Sequence, residues 1–465
     1  MPGEYDYSAG FEARAAVSLA DPKLRRNVAD ADDRQIANRL SAMASLRDPE
    51  GLRDLASEMR AAVLSCLDEH LGALADEWEH HGGKVFFAKD ASEATEYVRD
   101  VAIRSGAMKA VKSKSMVSEE IRLNEVLGDA GVEPVETDLG EYIAQLAGDH
   151  PAHIITPIIH WSKHDVANLF SEMAGDSLPP DVAPLLAFAR GRLRDHFLTA
   201  GLGISGVNFA VAEAGALCLA TNEGNGRMCT SIPPNHIAIM GMERVVATWE
   251  QLAVMLSLLA RSGTGQKLTQ YTSLLFGPRR ADEADGPVES HLVILDNGRS
   301  NLLGTRYQDA LKCIRCGACL NVCPVFRQTG GHAYDPVYSG PIGAVINPLL
   351  RDSKQASELA HASTLCGACT EACPVRIPLH DLLLYERQEY AHVYSSRSER
   401  VAYSAWSHAW SSARRFKVFA FTGALAARVV GRRRLGRLPL LRRWARGRAM
   451  PSLPTVAYRS KRRDR

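Results

Sequence analysis

Between residues 11 and 80, apolar side chains recur at helical spacing, as in Met59, Ala62, Val63, Cys66, Leu67, Leu71 and Leu74, with acids and bases on the other face. The pattern predicts an N-terminal helical segment over residues 1–80. His80-His81-Gly82-Gly83 breaks it, and Lys84-Val85-Phe86-Phe87-Ala88 reads as a short buried strand. From there to about 295, strand-like and helical stretches alternate. The predicted strands include residues 110–113, 132–138, 154–157, 207–211, 217–221 and 237–240. Ser118-Glu119-Glu120 opens a helix, with a capping hydroxyl and acids against its positive end. This alternation predicts an α/β domain over residues 81–295. Its longest hairpin-like stretch runs from Gly206 to Glu223 and ends in Gly224-Asn225-Gly226-Arg227.

Beyond residue 300 the strand pattern stops. Residues 306–312 and 353–364 read as helices, and Pro378 stands where a helix starting there tolerates it, with Leu379 to Tyr385 following. Each of the first two helices leads into a run of cysteines. Seven of the ten cysteines fall between residues 313 and 373. The first run is Cys313-x2-Cys316-x2-Cys319-x3-Cys323-Pro324, the spacing with which bacterial ferredoxins hold one cubane by three thiolates and reach a second with the fourth. A partial copy follows as Cys366-x2-Cys369-x3-Cys373-Pro374.

Two-residue spacers let one loop present three thiolates to one cube, whereas the cysteine three residues further on faces away. This assigns Cys313, Cys316, Cys319 and Cys373 to a first cluster, and Cys323, Cys366 and Cys369 to a second. Aligned on its proline, the second run lacks the first position, which Ser363 occupies. The corner without a cysteine is open to a hydroxyl or water, to a substrate or partner ligand, or to a three-iron cluster. The expected cofactors are two iron–sulfur clusters, the first 4Fe-4S and the second 4Fe-4S or 3Fe-4S with three cysteine ligands. A zinc ribbon uses two paired CxxC motifs without the interleaved cysteine. The segment between the runs reads as helical rather than as two short hairpins, so residues 300–395 are expected to form an all-helical ferredoxin-type two-cluster domain.

Composition narrows the class without naming it. A chain of 465 residues with 46% apolar and 23% charged residues is ordinary for a soluble globular protein of several domains. The first residues lack a basic stretch followed by an apolar core, so a secretory signal is not expected. No window is apolar for the length of a membrane span. Clustered cysteines suit ligation in a reducing compartment rather than disulfides, and a cytoplasmic location is expected. Cys66, Cys218 and Cys229 lie outside the runs and read as small buried hydrophobes.

The net charge of +2 conceals an asymmetry. Residues 414–465 carry 17 Lys/Arg and one acid, whereas the remainder carries 38 basic and 52 acidic residues. Residues 396–465 form a basic, aromatic C-terminal tail that includes Trp406, Trp410, Phe416, Phe419, Phe421 and Arg432-Arg433-Arg434. Its apolar stretch over residues 416–430 contains Lys417 and Arg428. That stretch suits the surface of a membrane, at the inner face, or an acidic partner, or is a solvated tail. No helix-turn-helix or other reader motif is present, so nucleic acid is not an expected partner.

Two glycine motifs mislead. Gly201-Leu-Gly203-Ile-Ser-Gly206 matches a dinucleotide fingerprint, but it follows a helical stretch and precedes a strand, the reverse of the required context. Gly263-Thr-Gly265-Gln-Lys267 resembles a phosphate loop without Walker spacing. Candidates for ligand binding in the α/β domain are Glu213, Asn222, Glu223 and the Gly224–Gly226 loop, and the segment Lys109, Lys112, Ser113, Lys114 and Ser115. The cations Lys312, Arg315 and Arg376 flank the cysteine runs. They would stabilise reduced clusters, dock an acidic donor, or serve only surface solvation.

The combination of motifs is specific. SGVNFAVAEAGALCLATNEGNGR and SIPPNHIAIMGMERVV, followed by CIRCGACLNVCPVFRQTGGHAY and LCGACTEACPVRIPLHDLL, closely resemble the lactate-utilisation protein B family. KSKSMVSEEIRLNEVL (112–127) and ETDLGEYIAQL (136–146) match it too, and the likeness covers nearly the whole chain. The resemblance implies an N-terminal LUD module of isomerase/CoA-transferase-like fold and an iron–sulfur subunit of a three-component system oxidising L-lactate to pyruvate. It also implies an electron-transport role, companion subunits of that system, and donor and acceptor proteins as partners. Seven cluster cysteines are the rule in that family, so Ser363 is in keeping with it. Lactate releases two electrons while a cubane typically moves one, so two adjacent clusters suit a relay of the pair. The alternatives are a subunit serving another 2-hydroxy acid, or a cluster enzyme using the open iron. No flavin or nicotinamide motif is present, so the chain is expected to carry electrons rather than catalyse.

Overall fold

The computed structural model describes residues 5–335, 337–351 and 353–430, with the side chains of 426–430 excepted. The N-terminal segment is helical as expected but divided into α1 (Phe11–Ala20), α2 (Pro22–Ala44), α3 (Pro49–Ser65) and α4 (Leu67–His80). Two Asp-Pro steps make two of the breaks. A proline lacks the N–H that continues a helix but is tolerated in a first turn. The preceding aspartate caps the new helix: Asp21 accepts from the Lys23 and Leu24 N–H groups at 2.8 and 3.0 Å, and Asp48 from the Gly51 N–H at 2.9 Å.

The α/β region contains ten strands: β1 (Lys84–Ala88), β2 (Lys109–Lys112), β3 (Glu133–Glu136), β4 (Leu202–Gly206), β5 (Phe209–Val211), β6 (Ala216–Thr221), β7 (Asn235–Gly241), β8 (Val245–Val246), β9 (Tyr271–Leu275) and β10 (Glu289–Leu295). Six form a parallel sheet in the order β1-β10-β7-β4-β2-β3, with Ile204 opposite Ile237 and Val293 opposite Ile239. Its central strands are buried on both faces, as parallel strands covered by helices must be. A smaller sheet, β8-β5-β6-β9, contains the expected hairpin as the antiparallel pair β5/β6, with Phe209 opposite Cys218.

The structure corrects several expectations. Residues 154–157 are a turn, not a strand, because His153 Nδ1 accepts from the N–H groups of Ile155 and Thr156 at 3.0 and 3.1 Å and curls the chain. The GxGxxG stretch is itself a strand, β4, inside the sheet, so it presents no phosphate loop. The helix after β2 is capped by Ser115, whose hydroxyl accepts from the Ser118 N–H at 3.2 Å, three residues before the predicted cap. The predicted helix over 306–312 is a short 3-10 turn at Gln308–Lys312, and that over 353–364 is a helix at Lys354–Glu358 followed by a 3-10 turn at Leu359–His361. The segment between the cysteine runs is helical, with helices at Phe326–Thr329 and Gly340–Leu350.

The chain divides into two compact units, Met1–Tyr390 and Ala391–Arg465. In the first, one apolar core takes in Leu74 and Trp78 of α4, Met255 and Leu258 of the helix Trp249–Gly263, and Leu320, Phe326 and Val345 around the cysteines. Buried arginines reinforce this continuity. Arg53 Nη2 donates to the Cys373 carbonyl at 2.9 Å, and Arg60 donates to the carbonyls of Val245 and Leu311 at 2.7 and 3.1 Å. In the second unit, helices Arg397–Trp410 and Ala413–Val430 pack together, with the Trp410 and Phe416 rings 4.9 Å apart. No described helix is long and apolar enough to cross a membrane. The Arg432–Arg434 cluster and the basic end lie outside the described residues.

Candidate iron–sulfur centres and the adjoining cavity

The two cysteine runs have the same local backbone, fifty residues apart. Arg315 and Gly317 bracket Cys316 with φ of 59° and 75°, and Leu365 and Gly367 bracket Cys366 with φ of 54° and 84°. Each run then enters a short helix, Ala318–Asn321 or Ala368–Ala372. A non-glycine residue seldom takes a left-handed backbone, so its recurrence at equivalent places marks a loop shaped for a purpose. In the first run, Cys313 Sγ accepts from the Arg315 N–H at 3.4 Å. In the second, Ser363 Oγ accepts from the Leu365 N–H at 3.1 Å.

Cys313, Cys316, Cys319 and Cys373 line one small cavity, walled by Ile154, Ile314, Ile342 and Pro374. Cys323 and Cys369 interact electrostatically with one another and with Cys366. The short helices after the two runs pack against each other, and Cys319 lies within electrostatic range of Cys369, so the two sets adjoin. Cys323, Cys369 and the first set other than Cys313 are buried, whereas Cys366 is exposed and Ser363 half-buried. The Ser363 corner of the second set therefore faces outward.

All seven cysteines are free of disulfides. Burial pushes the Cys369 thiol up to about 12 and that of Cys373 to about 11, and raises Cys316, Cys319 and Cys323 as well, with neighbouring cysteines adding to each rise. Buried thiolates so crowded need positive charge among them, which the irons of a cluster supply. The all-cysteine donor set, the buried loops and the N–H groups aimed at sulfur, including that of Ile377 onto Cys373 Sγ at 3.4 Å, fit iron–sulfur clusters. Cys218 and Cys229 stand apart in the α/β region, fully buried, with thiols pushed by burial to about 12, as unreactive core residues are.

Beside the first set lies a cavity of about 440 Å³. It opens beyond the carboxyl ends of β2, β4 and β7, where parallel sheets of this kind bind ligands. Ser113, Lys114, Ser115, Asp138, Asn208, Glu223, Asn225, Arg244 and Arg315 contribute polar groups to its wall, and Ile154 and Arg315 line both this cavity and the cysteine-lined one. Of the candidate ligand residues, Ser113, Lys114, Ser115, Asn222 and Glu223 therefore meet here. Lys112 does not: it is buried between Glu119 and Glu136 at 2.7 and 2.8 Å. Lys109 sits at the opposite end of β2, 3.4 Å from Glu133. Glu213 accepts from the Trp249 N–H at 2.9 Å and caps a helix. From the Gly224–Gly226 loop, Asn225 reaches the cavity. Glu223 is exposed at the cavity's mouth, and desolvation together with the nearby Asp138 pushes its carboxyl up to about 7.

Sequence reasoning missed Asp138, Asn208, Glu243 and Arg244, which reach the cavity from loops after strands. The second misleading glycine motif also proves structural. A Cβ on Gly263 would fall 2.4 Å from the Cys316 carbonyl oxygen, so glycine lets this helix end touch the first cysteine loop. Asn321 Nδ2 donates to the Gly263 carbonyl at 2.9 Å and fixes the contact.

Of the three flanking cations, Lys312 and Arg315 are largely withdrawn from solvent, whereas Arg376 is half-buried in a surface ion-pair cluster. Arg376 pairs with Glu50 and Asp54 of α3, both at 2.7 Å, and Lys312 is buried and pairs with Asp309 at 2.7 Å. Arg315 ends a buried chain of charges. Arg299 grips Glu120 through Nη1 and Nη2 at 2.9 and 2.7 Å and approaches Glu243 at 2.9 Å, and Arg315 Nη2 lies 3.6 Å from the other Glu243 oxygen. Tyr338 donates to Glu120 at 2.6 Å, and the Arg315 guanidinium lies 4.6 Å over its ring. This network ties the sheet to the cysteine loops. A second knot, Asp149 with His160 at 2.9 Å and His332 at 3.5 Å, joins the 149–160 turn to the segment between the runs.

The LUD domain family matches residues 72–295, and the 4Fe-4S dicluster domain family matches residues 309–377. The chain is an iron–sulfur protein in which a LUD domain precedes a 4Fe-4S dicluster domain. Lactate utilization protein B of Shouchella clausii is 50% identical over 381 residues, covering 82% of this chain and 80% of that protein. The same-named protein of Bacillus licheniformis is 51% identical over 379 residues, covering 81% and 80%. The uncharacterized electron transport protein YkgF of Escherichia coli is 45% identical over 457 residues, covering 97% and 95%. The chain belongs to the lactate utilization protein B family.

Proposed function

We propose that this protein is an electron-transfer subunit of a lactate-oxidising system, with two iron–sulfur clusters held by Cys313, Cys316, Cys319 and Cys373 and by Cys323, Cys366 and Cys369. The observation that carries the proposal is the pairing of the two runs. Each sends its last cysteine to the other's set, and the sets meet across two packed short helices. A bound cluster supplies one-electron redox chemistry, and two neighbouring clusters suit the pair of electrons released by a 2-hydroxy acid. The residues around them hold the sulfurs, exclude water with Ile154, Ile314 and Ile342, and place the positive charge of Arg315 beside the first set. The α/β region, which shares a core with the cysteine loops, acts as their rigid support. Companion subunits supply the substrate chemistry and accept the electrons. Within the chain, residues 81–295 and 300–395 are the two functional domains, and the basic C-terminal residues contact an acidic partner or the membrane surface.

Iron, sulfide and EPR measurements on anaerobically purified protein test the reading. Close to eight irons per chain, with a reduced-state signal from two interacting cubanes, supports it. Zinc in place of iron in protein kept anaerobic throughout would refute it. A second test follows reduction of the clusters by L-lactate in the presence and absence of the companion subunits. Reduction by the isolated chain would instead favour a cluster enzyme.

A further inference from the structure

The 440 Å³ cavity is in the size range of small-molecule sites and lies where a parallel sheet presents its ligands. One wall contains an unmet need. Arg315 Nη1 is buried without a hydrogen-bond partner, and Nη2 stands 3.6 Å from Glu243, beyond hydrogen-bond length. An unsatisfied buried guanidinium N–H is costly, and a carboxylate is the group whose geometry meets it. The stack on Tyr338 holds the plane of the guanidinium in place. Nearby, Lys114 donates to the Ile155 carbonyl at 3.1 Å, which leaves further ammonium donors for a ligand. Arg244 is already committed, to the carbonyls of Cys313 at 3.0 Å and Val207 at 3.5 Å.

The rest of the lining has the opposite character. Asp138 and Glu223 stand together near the mouth, while Ser113, Ser115, Asn208 and Asn225 offer neutral hydrogen-bonding groups. Such a site accepts one negative charge and repels a second. It therefore selects a small monocarboxylate bearing a hydroxyl over phosphate or a dicarboxylate.

We propose that this cavity binds a small hydroxy-monocarboxylate through Arg315 and Lys114, and that occupancy is sensed by the first cluster through Arg315. The second half rests on the cluster assignment made above. Arg315 is the link because its N–H reaches Cys313 Sγ while its side chain lines the cavity. An anion on that guanidinium neutralises a positive charge beside the first cluster and makes reduction harder. Reciprocity then requires the reduced protein to bind the anion more weakly.

The test is calorimetry on the anaerobic, cluster-loaded full chain, with L-lactate, acetate and inorganic phosphate as separate probes. L-Lactate should bind, acetate more weakly, and phosphate not measurably. Lys114→Gln and Arg315→Gln should each weaken L-lactate binding about tenfold or more, the scale of a lost charge-assisted hydrogen bond. Lys114 is remote from the cysteine ligands in sequence, so its variant keeps the test valid if Arg315→Gln loses its cluster. Dithionite-reduced protein should bind about fivefold more weakly than oxidised protein, and saturating L-lactate should lower the first cluster's midpoint potential. Phosphate binding without L-lactate binding, L-lactate binding untouched by Lys114→Gln, or equal affinity in the two redox states would each overturn the proposal. Iron and EPR measurements on the same samples separate the two readings. Two clusters with no ligand binding defeats the cavity site alone, and ligand binding with no clusters defeats the electron relay.

Discussion

Ser363 Oγ accepts a hydrogen bond from the Leu365 N–H at 3.1 Å, in the same loop geometry in which Cys313 Sγ accepts from the Arg315 N–H fifty residues earlier. The second run thus has the loop shape of the first, with a hydroxyl in place of the first thiol. The Ser363 corner is also the more open one, since Cys366 beside it is exposed.

A hydroxyl is a harder and poorer ligand for cluster iron than a thiolate. The iron at the Ser363 corner is therefore expected to leave first on mild oxidation, giving an oxidised-state three-iron EPR signal in the native protein. Ser363→Cys should suppress that signal severalfold and hold the iron count near eight per chain. An equal three-iron signal in both proteins would place the labile iron elsewhere.

The contact between Gly263 and the Cys316 carbonyl allows no side chain. Gly263→Ala should push the first cysteine loop away from the helix end, at a cost of about 1–3 kcal/mol for overpacking. Loss of the first cluster's EPR signal, with the second retained, is the expected result. Undiminished signals and an unchanged denaturation midpoint would show that the helix end shifts freely.

Arg53 supports the second run from α3. Its guanidinium donates to the carbonyls of Glu371 and Cys373, and it is held by Glu50 at 2.8 Å. Replacing it with methionine keeps the buried stem but strips those carbonyls of their donor, a loss of about 1–3 kcal/mol for each group left unsatisfied. The Arg53→Met protein should unfold at lower urea and release iron faster in chelator than the native protein. Identical release rates would mean that α3 does not brace the cluster loops.

These relationships were unequally visible in the chain. The cysteine spacing exposes the two matching loops, because a repeated spacing gives a repeated backbone shape, and the alternation of apolar runs exposes the α/β character. The turn at 154–157 was hidden because Ile154-Ile155 has the apolar look of a strand, while its shape is decided by the side chain of His153. β10 was hidden for another reason: its apolar part is only Leu292–Leu295, preceded by the polar Glu289-Ser290-His291, and so short a run carries no period of its own. Arg315 reads as a surface cation because nothing local reveals that Glu243, Tyr338 and the cavity surround it. The cavity itself is built from loops after separate strands, so only half of its polar lining was legible.

The buried charge network also makes stability depend on pH. Burial disfavours ionisation of Glu120, but the two-pronged Arg299 contact and the hydrogen bonds from Tyr338 and Asn297 outweigh it and hold the carboxyl down at about 2. An unfolded glutamate titrates near 4.5. With the folded value depressed, the contribution is fully present above pH 4.5 and is lost as pH falls from there toward 2. Between pH 6 and pH 4 the loss from this group alone is about 1 kcal/mol. Urea denaturation of the anaerobic protein at both pH values should show it, and Glu120→Gln, which keeps the shape and lacks the titration, should show a pH slope flatter by that amount. Equal slopes in the two proteins would mean that Glu120 is not held ionised by Arg299 in the folded state.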